Sequence, residues 1–126
     1  MTTAIVSKQE QLRNTLMNLR AAMPEVRGAL VATADGLPIA QAMSEGADAN
    51  RVAAMVATAL GLGKRINDTL ASGDLTEMSV SGKEGQVFIY AAGRKGVLAV
   101  VVPSGVNLGL LHMEARDAAQ LVAGVL

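Results

Sequence analysis

Apolar positions along the chain fall into blocks whose spacing alternates between that of a helix and that of a strand. Leu12, Leu16, Leu19 and Met23 recur three or four residues apart, which puts them on one face of a helix. Ser7 with Glu10 makes a capping box ahead of it. Pro24 ends it, because the residue before a proline avoids helical backbone. Residues 26–34 and 37–42 read as two strands joined by Asp35-Gly36, a hairpin dipeptide in which both residues accept positive φ. Pro38 fits near the start of its strand or on an edge. After a loop over 44–47, Asp48 caps a long second helix, 49–70, closed by Gly73 as a left-handed terminator.

Three more strands follow. In 75–81, Met78 and Val80 alternate with Glu77, Ser79 and Ser81. Strand 86–92 follows the turn Lys83-Glu84-Gly85, and strand 97–102 follows the basic turn Gly93-Arg94-Lys95-Gly96. The last strand is apolar throughout, as a central strand covered on both faces should be. Pro103-Ser104-Gly105 stops it, and Asn107 caps a final helix with a buried stripe of Leu108, Leu111, Ala115, Ala118 and Val122. The order α-β-β-α-β-β-β-α with short links favours antiparallel neighbours. The expected fold is α+β: a single domain over 1–126, with a five-stranded antiparallel sheet and helices on both faces. The strand at 76–81 has neither Lys nor Pro to discourage edge pairing, so it is expected to pair with its own copy.

Stepping 100° per residue along the second helix puts Val52, Met55, Val56, Ala59, Leu62, Gly63, Ile66 and Leu70 on one face, which is expected to meet the sheet. The other face carries Asn50, Ala53, Ala54, Ala57, Thr58, Gly61, Lys64, Arg65 and Asp68. Its middle is almost bare, whereas a solvent-facing helix normally carries charge along its whole outer side. Gly61 and Gly63 each cost roughly 1 kcal/mol against Ala in a helix interior, which is explained if another backbone comes close. That points to a dimer with Ala53, Ala54, Ala57, Thr58 and Gly61 in the seam, and Met78 and Val80 on the paired edge strand. The plainer reading is an Ala-rich helix that tolerates its glycines.

Composition narrows the function. Of 126 residues, 51% are apolar and 17% charged, which suits a packed core rather than disorder. The longest unbroken apolar run, 97–102, falls far short of the roughly 20 residues a membrane span needs. Eleven basic residues balance eleven acidic ones, which argues against a nucleic-acid footprint. Cys is absent and His is single, so disulfides, thiolate catalysis and Cys- or His-rich metal sites fall away together. Aromatics at 2% leave little for base stacking. Residues 1–6 carry no basic region and no long apolar stretch, so the expectation is a soluble cytoplasmic protein without a signal peptide.

Candidate chemistry is thin. Gly61-Leu62-Gly63-Lys64-Arg65 resembles part of a phosphate loop, but that motif needs glycine at position 58 and Ser or Thr at position 65. Here those positions hold Thr58 and Arg65, within a helix. His112 has no second His, Cys or evident Ser partner, and a nucleophile needs an oriented base. Asp35 and Asp48 are explained by a turn and a cap, and Glu114 and Asp117 by the wet side of the last helix. Asn67-Asp68-Thr69 is a glycosylation sequon in a helix. Arg94 and Lys95 form a solvated turn tip. No catalytic residue, cofactor or metal is expected, and the chain reads as a binding module.

Val26-Arg27-Gly28-Ala29-Leu30-Val31, Ala34-Asp35-Gly36-Leu37-Pro38-Ile39-Ala40, the Ala- and Gly-rich second helix and Asn107-Leu108-Gly109-Leu110 together resemble the Roadblock family of dynein light-chain-type domains, in its prokaryotic branch. The resemblance runs from about Gln9 to the end. It implies a homo- or heterodimer with paired second helices and joined edge strands. It also implies a non-enzymatic regulator or scaffold of a Ras-like small GTPase. The expected partner face on the second helix is Asn50, Arg51, Ala54, Thr58, Lys64, Arg65 and Asp68, with Arg51 and Arg65 as candidate arginine fingers. The alternatives are a structural dynein-light-chain-like adaptor and a small-molecule sensor with a pocket between helix and sheet.

Overall fold

The computed structural model describes residues 7–44 and 46–126. The expectation for residues 1–6, and residue 45 within the expected loop, lie outside the described residues. The elements are α1 (Lys8–Ala22), β1 (Gly28–Thr33), β2 (Pro38–Ala42), α2 (Ala49–Thr69), β3 (Glu77–Ser81), β4 (Gly85–Ala92), β5 (Gly96–Pro103) and α3 (Leu108–Val125). This is the expected α-β-β-α-β-β-β-α order. Each helix starts where a local acceptor is available for its first free N–H groups. Ser7 Oγ accepts from the Glu10 N–H at 3.1 Å, Asp48 Oδ1 from Arg51 at 3.2 Å and Asn107 Oδ1 from Leu110 at 3.0 Å.

The five strands form one antiparallel sheet in the order β2-β1-β5-β4-β3. The all-apolar β5 is the central strand, and β2 and β3 are the edges. Alternation along the strands separates two cores. Val31, Tyr90, Leu98, Val100 and Val102 point to the face covered by α1 and α3, where they meet Leu12, Leu16, Leu19, Met23 and Leu111. Leu30, Ala32, Ile89, Val97 and Ala99 point to the other face, covered by α2 alone through Ala53, Val56, Ala57 and Leu60.

Several local expectations are corrected. In the β1–β2 turn only Gly36 has positive φ (92°). The Gly36 N–H donates to the Thr33 carbonyl, and the Thr33 N–H to the Leu37 carbonyl. That leaves Ala34, Asp35 and Gly36 as a three-residue connection closed by a left-handed glycine, the next most common hairpin loop after the two-residue one. The left-handed residue that ends α2 is Ala71, φ 53°, ahead of Gly73. The Ser72 N–H reaches back to the Asn67 carbonyl, which closes a Schellman motif with an alanine where glycine is usual. Leu108 is exposed, so the buried stripe of α3 starts at Leu111.

Candidate functional site

The helical wheel of α2 is the main correction. The side lying on the sheet is the small one: Ala53, Val56, Ala57, Leu60 and Gly63. Gly36, at the tip of the β1–β2 hairpin, explains part of this. A Cβ at Gly36 would stand 3.2 Å from the Ala54 Cα and 3.7 Å from the Ala57 Cβ, so the hairpin rests directly on α2. Ala53 and Ala57, assigned to the dimer seam from the sequence, are buried within the chain itself. Gly63 also serves the chain: a Cβ there would meet Leu75 at 2.9 Å and Met78 at 3.2 Å. Gly61 has nothing within 4 Å and remains open to a second molecule.

The bulky residues expected on the sheet point outward instead. Met55 is 56% exposed, Leu62 52%, Ile66 49% and Leu70 69%. Val52 and Ala59 are half-buried at the margin of the α2 core, as are Leu75, Met78 and Val87. Val52, Met55, Ala59, Leu62 and Ile66 follow one another at alternating steps of three and four, the spacing of a seam between two packed helices. On edge strand β3, Met78 pairs with Ile89 and Val80 with Val87, so both share the α2 side of the sheet. Val80 is 56% exposed. The outcome is an apolar surface that one helix does not cover, beside a free strand edge.

The polar flank of α2 holds the expected partner residues. Asn50, Arg51, Ala54, Thr58, Arg65 and Asp68 are exposed and Lys64 is half-buried. The Thr58 hydroxyl turns back to donate to the Ala54 carbonyl at 2.8 Å. Lys64 and Asp68 share a cleft of about 470 Å³ with Asp74 and Arg94, so the helix rim and the basic turn tip are neighbours.

These features form on a domain whose sequence has an assigned family. The sequence model of the Roadblock/LC7 domain matches residues 12–102. The chain belongs to the Roadblock/LC7 domain family. It is 32% identical over 97 residues to the uncharacterized protein MJ1340 of Methanocaldococcus jannaschii, covering 77% of this chain and 84% of that protein. Its fold is similar to that of the gliding protein MglB from Thermus thermophilus, with a TM-score of 0.83 at 17% identity over 98% of this chain and 93% of that one. It is likewise similar to a structure described as MglB with tetrameric arrangement, with a TM-score of 0.84 at 18% identity and the same coverage.

This Roadblock/LC7 domain also carries a polar cluster on its α1/α3 side that the sequence did not reveal. Nδ1 of His112 lies 2.8 Å from the Tyr90 hydroxyl and 3.0 Å from Oε2 of Glu77. Without a proton on Nδ1 the ring accepts from the tyrosine, and with one it donates to the carboxylate. Arg116 Nη2 and Nε donate to Oε1 of Glu77 at 2.6 and 3.1 Å. The Phe88 ring meets the imidazole edge-on at a centroid distance of 5.1 Å. Burial pushes the Tyr90 hydroxyl above the ordinary tyrosine range, the Glu77 charge adds to the rise and Arg116 opposes it. The hydrogen bonds and charge of Glu77 raise Arg116 in turn. His112 therefore has partners, and the cluster ties edge strand β3 to α3. Among the described residues no group of three or more His, Asp or Glu side chains is placed to hold a metal ion, and no helix is long and apolar enough to cross a membrane.

Proposed function

We propose that this protein is a homodimeric, non-enzymatic regulator or scaffold of a Ras-like small GTPase. The observation that carries the reading is the uncovered apolar stripe on α2, with Val80 exposed on the same side of the sheet at edge strand β3. A second copy placed by a two-fold axis covers each seam with the other, since an isologous contact matches one patch to itself. Met55, Leu62 and Ile66 supply its bulk, and Gly61 allows close approach. The same axis brings the two β3 edges together and satisfies their open N–H and C=O groups.

Pairing the helices turns their polar flanks into one platform. Arg51, Thr58 and Arg65 face outward there, with Asn50, Ala54, Lys64 and Asp68 beside them. Family membership supports a GTPase as the partner class, and exposed charges can set the orientation and rate of encounter. The test is binding of a GTPase from the same host, loaded with a non-hydrolysable GTP analogue, to the wild type and to the double variant Lys64→Glu with Arg65→Glu. Loss of binding with the dimer intact supports the platform. Unchanged affinity at low and moderate salt removes it. Arg51→Ala and Arg65→Ala, scored by GTP turnover, test the finger role, in which a placed arginine gives about 10³-fold or more.

A further inference from the structure

We propose that the β2 edge is built to stop assembly, so that dimers do not grow end to end into extended sheets. The inference rests on the dimer reading above. If the β3 edges pair, the two β2 strands become the outer ends of one continuous sheet. An open strand at such an end would recruit the β2 edge of another dimer and continue without closure.

The two edges differ in chemistry. β3 pairs with β4 residue for residue from Glu77↔Tyr90 to Ser81↔Gln86, with no bulge, and it contains neither Lys nor Pro. β2 is interrupted. Its register with β1 runs Ala32↔Pro38 and then Val31↔Ala40, so two residues of β2 pass one of β1 and Ile39 is left over as a bulge. The Ile39 carbonyl is taken by Gln9 of α1, whose Nε2 donates to it at 3.1 Å. That side-chain amide occupies the place a neighbouring strand's N–H would take. Pro38, just before the bulge, has no N–H to offer.

One residue of β2 keeps both groups free. Ala40 and Ala42 stand opposite Val31 and Ala29, the β1 residues whose backbone groups alternate away from β5. Gln41 lies between them and so turns its N–H and C=O outward. One such residue does not make a ladder, which needs outward groups at every second position. Among the described residues no element covers the edge, along which a cleft of about 780 Å³ opens between the first turns of α1 and α2. Bulge, proline and glutamine plug therefore do the closing, and the occupant they exclude is a second dimer.

The test is molar mass by light scattering across a concentration series, with circular dichroism as the check on folding. The wild type is expected to stop at two chains. Gln9→Ala combined with Pro38→Thr unplugs the edge, and its mass is expected to rise at least twofold over the dimer. Adding Gln41→Pro, which removes the outward N–H of the edge, is expected to return it to the dimer. Gln9→Ala alone is the milder variant, growing only at the highest concentrations. An unplugged, folded variant that stays at two chains overturns the proposal, as does growth that Gln41→Pro leaves unchanged. The dimer reading is scored separately: a wild type of one chain refutes that reading, while an unplugged variant that then forms pairs still supports closure at β2.

Discussion

The two faces of the sheet are covered unequally. Two helices lie on one face, and the large core residues there, including Leu12, Leu16, Tyr90 and Leu98, are essentially inaccessible. One helix lies on the other and contacts it through Ala53, Val56, Ala57, Leu60 and Gly63, while Met55, Leu62, Ile66 and Val80 stay about half exposed. Exposed apolar residues on the outer side of α3, such as Met113 and Leu121, are interspersed with Arg116, Asp117 and Gln120. The α2 stripe has no charge within it. Scattered exposed apolar residues need no explanation, but a contiguous uncharged patch marks an interaction site. The first face is closed over by its helices, and the second leaves these apolar side chains exposed.

The largest expected effect separates two leucines on the same helix. Leu60 is 2% exposed and Leu62 52% exposed. Leu60→Ala is expected to destabilise the fold by about 2–5 kcal/mol, measured by urea unfolding. Leu62→Ala is expected to change chain stability, extrapolated to low protein concentration, by no more than about 0.5 kcal/mol while weakening self-association. Equal losses at the two positions would mean that α2 has one burial surface instead of two.

The closed face has its own test in Tyr90. Its raised pKa means that the folded state holds the neutral phenol while the unfolded chain ionises near pH 10. The unfolded state then binds fewer protons, so the stability is fully present below about pH 10 and falls above it, by up to about 1.4 kcal/mol per pH unit. Tyr90→Phe is expected to lose about 1 kcal/mol at neutral pH with the hydrogen bond to His112, and to lack this alkaline slope relative to wild type. Since the chain has a single tyrosine, its phenolate absorbance reports this site alone. Parallel slopes in the two proteins would contradict the burial of the hydroxyl.

The smallest effect compares two glycines. Gly61→Ala adds a methyl in open space and is expected to stabilise the isolated chain by about 1 kcal/mol through helix propensity. Gly63→Ala gains the same propensity but pushes on Leu75 and Met78, so its net gain is expected to vanish or reverse. Thermal melts of the two variants, in a background that does not dimerise, rank them.

Much of this was legible in the sequence, for local reasons. The caps at Ser7, Asp48 and Asn107 are short-range chemistry, and the central place of β5 follows from its unbroken apolar run. The direction of α2 was not legible. Its outer side carries bulky residues and its inner side small ones, so a wheel weighted by hydrophobicity points to whichever side is larger. The resting of Gly36 on Ala54 and Ala57, and of Leu75 and Met78 on Gly63, shows that the small side faces inward. The spacing of Val52, Met55, Ala59, Leu62 and Ile66 was the available signal that the bulky side is an apolar stripe in its own right. The Glu77–His112–Arg116 cluster was hidden because its members are far apart in the chain. The alternation of β3 and β4 sets Glu77 opposite Tyr90, but nothing local brings α3 above them.

Sedimentation equilibrium of the wild type beside Leu62→Glu tests the central claim most directly. The account predicts a wild type of twice the 12.9 kDa chain mass. It predicts a Leu62→Glu variant of one chain mass with an unchanged far-UV spectrum. A wild type that stays monomeric at micromolar concentration, or a Leu62→Glu variant that dimerises as tightly as wild type, would contradict it.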